Sequence, residues 1–227
     1  MKRVAAARLH ARIASIVVLA VLVAATSAPI RAEEQCVVIE DFSKATVGQF
    51  PAGWKPRKDS AKEVYKVAAD GAHKFLHADA KDLGVQAAKQ LDWNVTEYPV
   101  LAWAWRALEF PRGADERTRK NDSAAAVYAV FPNNAWSVKS VKYIWSEKVP
   151  KGTHIPQSSG NTQGLVLRTG GTPGEWAEER VNVLEDYRRY FKTEDVPKPE
   201  GIAVLTDSDD TSSRARGDYA KFRVCRG

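Results

Sequence analysis

The chain predicts a mainly β protein, a single jelly-roll-like β-sandwich of about ten antiparallel strands with one short helix. Three observations carry this. Apolar residues recur with a period of two along most of residues 36–225. Gly, Pro, Asn and Asp interrupt them at short, regular intervals. Only one segment changes to a period of three and four.

In order, the strand candidates open with CVVIEDF at Cys36, then VYKVAA and HKFLHAD on either side of Asp70-Gly71, a two-residue hairpin signal. LGVQAAKQLDW, PVLAWAWRAL, SAAAVYAVF and SVKYIWSE follow, and then QGLVLRTG, GIAVLTD and DYAKFRVC. Between the last three, EERVNVLEDYRRYF places Val183, Leu184, Tyr187, Tyr190 and Phe191 on one helical face, which predicts a helix over 183–191. Many short strands and one short helix describe a sandwich rather than a parallel α/β fold.

Residues 1–32 read as a cleaved secretory signal peptide: Lys2, Arg3, Arg8 and Arg12, an uncharged run from Ile13 to Ile30, and a cut after Ala32. Residues 33–227 then form one domain. The signal holds five of the 34 basic side chains (Lys2, Arg3, Arg8, Arg12 and Arg31) and none of the 28 acidic ones, so the net charge of +6 belongs largely to the part removed. A near-neutral remainder argues against nucleic acid as a partner, and cleavage leaves no membrane segment. The expected state is a periplasmic or secreted monomer.

Two cysteines, Cys36 and Cys225, bracket that domain, and an exported chain with two cysteines predicts a disulfide between them. Antiparallel pairing of the first and last strands would set Val37 against Val224, Ile39 against Phe222, Glu40 against Lys221 and Phe42 against Tyr219. Val37, Ile39, Phe222 and Val224 would then share the core face.

The run FPAGW, LAWAWR, GADERTRKNDSAAAVYAVF, YIWSEKVPKGT, ERVNVLEDYRRYF and GIAVLTDSDDTSS resembles the bacterial exported family catalogued as domain of unknown function 3047. That likeness covers nearly all of the mature chain and implies no activity. More distantly, a first strand ending Glu40-Asp41-Phe42 and a last one starting Asp218-Tyr219 are similar to the galactose-binding-like jelly rolls of carbohydrate-binding modules. This implies a fold and a ligand class.

Candidate functional residues fall into a few groups. In TDSDDT, Asp207, Asp209 and Thr211 alternate as oxygen ligands of Ca²⁺ do, and Asp218 takes the twelfth place; Ser212 stands where an EF-hand has glycine. The long loop after PVLAWAWRAL carries a mixed charge cluster, Asp115, Glu116, Arg117, Arg119 and Asp122. Trp136 and Trp176 lie in Asn-, Gly- and Pro-rich loops, where an exposed aromatic can stack on a sugar ring, and Arg106 ends an aromatic strand. Trp103 and Trp105 alternate with small residues, a stripe that more often forms core. Around the helix, Glu179, Arg180 and Asp186 supply carboxylates and a cation.

No HExxH, GxSxG, Walker loop or CxxC is present. The reading that follows is a noncatalytic binding module for a carbohydrate or similar hydroxylated ligand. Arg106, Asp115, Asp122, Trp136, Trp176, Arg180, Asp207 and Asp209 would contact it, with Ca²⁺ as the one cofactor suggested. Two alternatives stand: a glycan hydrolase or lyase using Asp186, Glu179, Asp207 or Asp209, and a structural assembly partner in the periplasm.

Overall fold

A computed structural model describes residues 35–157 and 159–227. The expected signal peptide lies outside the described residues. In chain order the elements are β1 (Cys36–Glu40), β2 (Trp54–Pro56), α1 (Ala61–Val64), β3 (Tyr65–Asp70), β4 (His73–Lys81), β5 (Gly84–Gln90), β6 (Val100–Glu109) and β7 (Ala125–Asn134). Then come β8 (Ser137–Ser146), β9 (His154–Pro156), β10 (Thr162–Thr169), β11 (Ala177–Asn182), α2 (Val183–Phe191), β12 (Gly201–Asp207) and β13 (Arg214–Cys225).

These strands form a two-sheet sandwich. The first sheet runs β11-β6-β13-β4-β3, with β1 also on β13; the second runs β2-β5-β12-β7-β8-β10-β9. All pairs are antiparallel except β10 with β8, which is parallel. The expected hairpin forms one residue later than Asp70-Gly71: Asp70 pairs with His73, so Gly71 and Ala72 make the turn, with Gly71 at φ +58. Among the described residues no helix is long and apolar enough to cross a membrane.

The period-two alternation becomes the core. Trp103 and Trp105 of β6 are fully buried and meet Tyr143 and Trp145 of β8, with ring centroids 5.6 Å and 5.5 Å apart. These contacts join the two sheets, and each large ring buries roughly 150–250 Å², worth about 4–6 kcal/mol before entropy is counted. Helix α2 has the expected bounds. Asn182 caps it by accepting from the Glu185 amide, Lys192 ends it at φ +54, and Tyr187 packs on Phe131 at 4.4 Å. The short α1 carried no sequence signal.

Cys36 and Cys225 are bonded, and Val37 faces Val224 as expected. The expected register holds through Val38, which faces Arg223, and then fails. Ile39 is an extra residue in β1, so Phe222 rather than Lys221 stands opposite Glu40, while Lys221, at φ +56, lies in a separate irregularity of β13 against β6. Glu40 therefore accepts from Trp54 Nε1 at 2.9 Å and Lys89 Nζ at 2.8 Å, while Lys221 turns to Glu178 at 3.0 Å. Phe42 lies in the core against Trp54 rather than opposite Tyr219. Nor is Val37 a core residue: it and Val38 are exposed. The cause is that β4 pairs with Arg214–Tyr219 of β13 and β1 only with Phe222–Cys225, so β1 occupies a short edge.

Candidate functional site

Two of the grooves on the sandwich, one on the outer face of each sheet, gather the expected polar and aromatic residues. On the first sheet, Ala102, Ala104 and Arg106 of β6 point away from the core because their neighbours point into it. Small side chains at Ala104 and Ala220 leave a floor beside Phe75, and loop residue Trp176 closes one wall. The Trp176 and Phe75 rings meet edge to face at 5.6 Å. Arg106 lies over both, its guanidinium carbon 4.6 Å from the Trp176 centroid and 5.1 Å from that of Phe75. Arg106 Nε donates to Asp218 at 2.6 Å, and His77 Nδ1 meets the other oxygen at 2.7 Å, so the cation is held from behind. The resulting groove has a volume of about 510 Å³ and is rimmed by Asp41, Lys74, Glu178 and Lys221.

On the second sheet, Tyr128 of β7 and Lys142 of β8 are cross-strand neighbours facing outward, yet both are buried. Segment 111–123 and β9 border them. Glu116 from that segment is buried and accepts from Ser123 Oγ at 3.2 Å and Ser146 Oγ at 2.6 Å, and burial pushes its carboxyl up. Asp207, ending β12, is also buried and one of its oxygens has no hydrogen-bond partner among the described residues. Burial and the neighbouring Asp209 push it up to about 8, against the pull of Lys142. A groove of about 750 Å³ opens above, lined by Glu116, Arg119, Asn121, Lys142 and Gln157.

Beside this groove, Asp122, Asp209 and Asp210 bring carboxylate oxygens within 4.8 Å of one another. Asp122 is committed to the turn: it accepts from the amides of Asp210 and Thr211 at 3.2 Å and 2.8 Å and from Thr211 Oγ1 at 2.5 Å. The expected Ca²⁺ set is thus divided. Asp218 sits on the first sheet with Arg106, and Thr211 donates to Asp122. Asp207 and Asp209 do meet, converging over the bare backbone of Gly84.

The remaining expected residues are scattered. Trp136 stands 95% exposed at the tip of the β7–β8 hairpin. Asp115 forms a two-point pair with Arg117 that lowers its carboxyl to about 2. Asp186 accepts from the Tyr143 hydroxyl at 2.9 Å. Glu179 accepts from Trp105 Nε1 at 3.2 Å and pairs with Arg168, and Arg180 reaches Cys225 Sγ at 3.7 Å. So Arg106 joins Trp176, and Asp122 joins Asp207 and Asp209, but Glu179 and Asp186 share neither group. Glu116 belongs to the charged loop the sequence marks, whereas Tyr128 and Lys142 are not among the expected site residues. Their signal was a lysine outward in an otherwise apolar strand, VKYIW, with a tyrosine at the matching place of AVYAV.

A family model described as a protein of unknown function, DUF3047, matches residues 52–223, which include all of the second groove's lining and most of the first's. The chain belongs to the DUF3047 family. No curated protein matches it. Among solved structures, the DUF3047 chain is similar in fold to a carbohydrate-binding module, TmCBM61, solved with beta-1,4-galactotriose. The identity is 8%, the TM-score 0.41, and 82% of this chain and 94% of the other are covered. The family 11 carbohydrate-binding module of a cellulosomal cellulase of Clostridium thermocellum gives 10% identity, a TM-score of 0.43 and coverage of 86% and 95%. Trichoderma harzianum endoglucanase 3, from family GH12, gives 11%, 0.42, 86% and 97%. At such identities the likeness concerns the sandwich alone and assigns no ligand to DUF3047.

Proposed function

We propose that this DUF3047 protein is an exported, noncatalytic binding module for a carbohydrate or similarly hydroxylated ligand, freed of residues 1–32 in the periplasm or outside the cell. One observation carries the reading: Trp176, 38% exposed, walls an apolar groove bordered by carboxylates and amines. A pyranose presents a C–H face to an indole and hydroxyls to polar groups around it, which is the combination offered here. Arg106 stiffens the platform from behind, held by Asp218, so little freedom is lost on binding.

The test is a glycan array of cell-envelope and plant polysaccharides followed by calorimetry on the hits, with Trp fluorescence as a second readout. Binding that disappears in Trp176→Ala supports the reading. No binding to any polysaccharide, or binding indifferent to Trp176, overturns it. N-terminal sequencing of the exported protein tests the cut after Ala32.

A further inference from the structure

The end of β12 gathers more negative charge than the side chains around it neutralise. Asp207 closes the strand, Asp209 and Asp210 follow in the turn, and Asp122 reaches them from the segment before β7. Oxygens of Asp122, Asp209 and Asp210 lie within 4.8 Å of one another. Two oxygens bound at about 2.4 Å on opposite sides of a calcium ion stand about that far apart.

Solvated acids on a turn need no ion, but Asp207 is not solvated. It is 7% exposed, and its Oδ1 is buried with no hydrogen-bond partner among the described residues. That oxygen converges with Asp209 Oδ1 on one spot, above Gly84, where a Cβ would collide with both. Asp209 is thus common to two arrangements, with Asp122 and Asp210 on one side and Asp207 on the other. Carboxylates brought together over bare backbone repel unless positive charge lies between them.

The protein supplies little of that charge. No described cation forms an ion pair with any of the four aspartates. Lys142 draws on Asp207 from beyond ion-pair distance and is shared with Glu116. One proton between Asp207 and Asp209 would remove one of the four charges and leave the other three. Lone pairs remain for an ion: Asp122 accepts three hydrogen bonds of the roughly four a carboxylate can take, and Asp210 Oδ2 accepts one from Asn121 Nδ2 at 2.7 Å. The Asp209 carboxylate accepts none from a described amide, amine or hydroxyl. A donor set made only of oxygens, open to solvent on the Asp209 and Asp210 side, suits a hard cation that keeps some water, and calcium tolerates irregular geometry better than magnesium.

We propose that this cluster is a calcium site, with Asp209 and Asp210 from the turn, Asp122 from the segment before β7 and Asp207 from the strand end around one ion. The ligands come from two stretches far apart in sequence, so the ion would fasten segment 111–123 to the turn before β13. It lies away from Trp176 and does not depend on that groove binding anything.

The test is calorimetry of the EDTA-treated protein with Ca²⁺ and with Mg²⁺, together with urea midpoints in EDTA and in about 10 mM calcium. Calcium should bind once, with a Kd of about 1 mM or tighter, and raise the midpoint. Asp209→Asn, at an exposed position, should weaken binding at least about tenfold and, by relieving repulsion, leave the metal-free protein no less stable than before. Asp59→Asn, an exposed acid beside Lys62, should change neither, and Trp176→Ala should leave calcium binding as it was. No calcium binding overturns the proposal and leaves the charge to protons. Binding that survives Asp209→Asn, or that Asp59→Asn weakens equally, places the ion on ordinary surface carboxylates and also overturns it. Magnesium binding as tightly as calcium overturns the assignment of the ion.

Discussion

Cys36 and Cys225, 189 residues apart in sequence, face each other in register across β1 and β13 with their Cα atoms 4.0 Å apart. The bond closes nearly the whole described chain into one loop. On the chain-entropy account a loop of that length is worth about 5 kcal/mol, reduced by any structure left in the unfolded chain. Replacing both cysteines by alanine should therefore lower stability by about 2–5 kcal/mol, read as a shift of the guanidinium midpoint under non-reducing conditions. A shift under about 1 kcal/mol would mean that the unfolded chain is not constrained by the bond.

Asp122 ties the segment before β7 to the turn before β13 through three donors on Asp210 and Thr211. Because Asp122 is wholly buried, Asp122→Ala should cost about 1–3 kcal/mol, since it removes a charged acceptor shared by three donors, although Thr211 is only half-buried and Asp210 exposed. Asp122→Asn should cost less. Urea midpoints at unchanged m check both.

The buried carboxyl of Asp207 sets a pH dependence. Its folded value of about 8 lies above the ordinary 3.8, so the folded state holds a proton that the unfolded state releases between those values. Stability from this group is fully present below about pH 4 and is lost as pH rises toward about 8. Glu116 and Asp186, also pushed up by burial, act in the same direction. Asp115, held at about 2, acts oppositely but only in acid. Denaturant midpoints of the native protein and Asp207→Asn at pH 5 and pH 8 should show the gap moving in the variant's favour at pH 8. A gap independent of pH would refute the assignment.

Trp176 and Trp136 should behave differently when truncated. Trp176→Ala removes a ring packed on Phe75 and Arg106, and should weaken glycan binding at that groove by roughly tenfold or more. Trp136, exposed at its hairpin tip, should change stability by less than about 0.5 kcal/mol on going to alanine. Thermal melts and calorimetry on both variants separate the two cases.

How far the site could be read from the sequence follows from the same residues. Arg106 and Trp176 were each singled out, but their stacking depends on β11 lying beside β6, which no local pattern encodes. Asp207 and Asp209 were named for a metal loop through Asp218, yet Asp218 sits one strand further on, facing Arg106 and His77, and Asp122 takes part instead. Lys142 lay in plain view in VKYIW; nothing in the linear pattern said that segment 111–123 would border it.

What the sequence determined by itself is the class of fold: alternation with period two assigns each side chain to one of two faces, and the period change at Val183 marks the helix. It also determined the union of the chain ends, because Cys36 and Cys225 were the only pair available. The tertiary structure alone decided which residues meet. A one-residue bulge at Ile39 put Phe222 opposite Glu40 in place of the expected lysine and left Glu40 to Trp54 and Lys89. Alternation fixes faces, whereas neighbours across strands depend on register, bulges and bordering loops, which are set by packing far away in the chain.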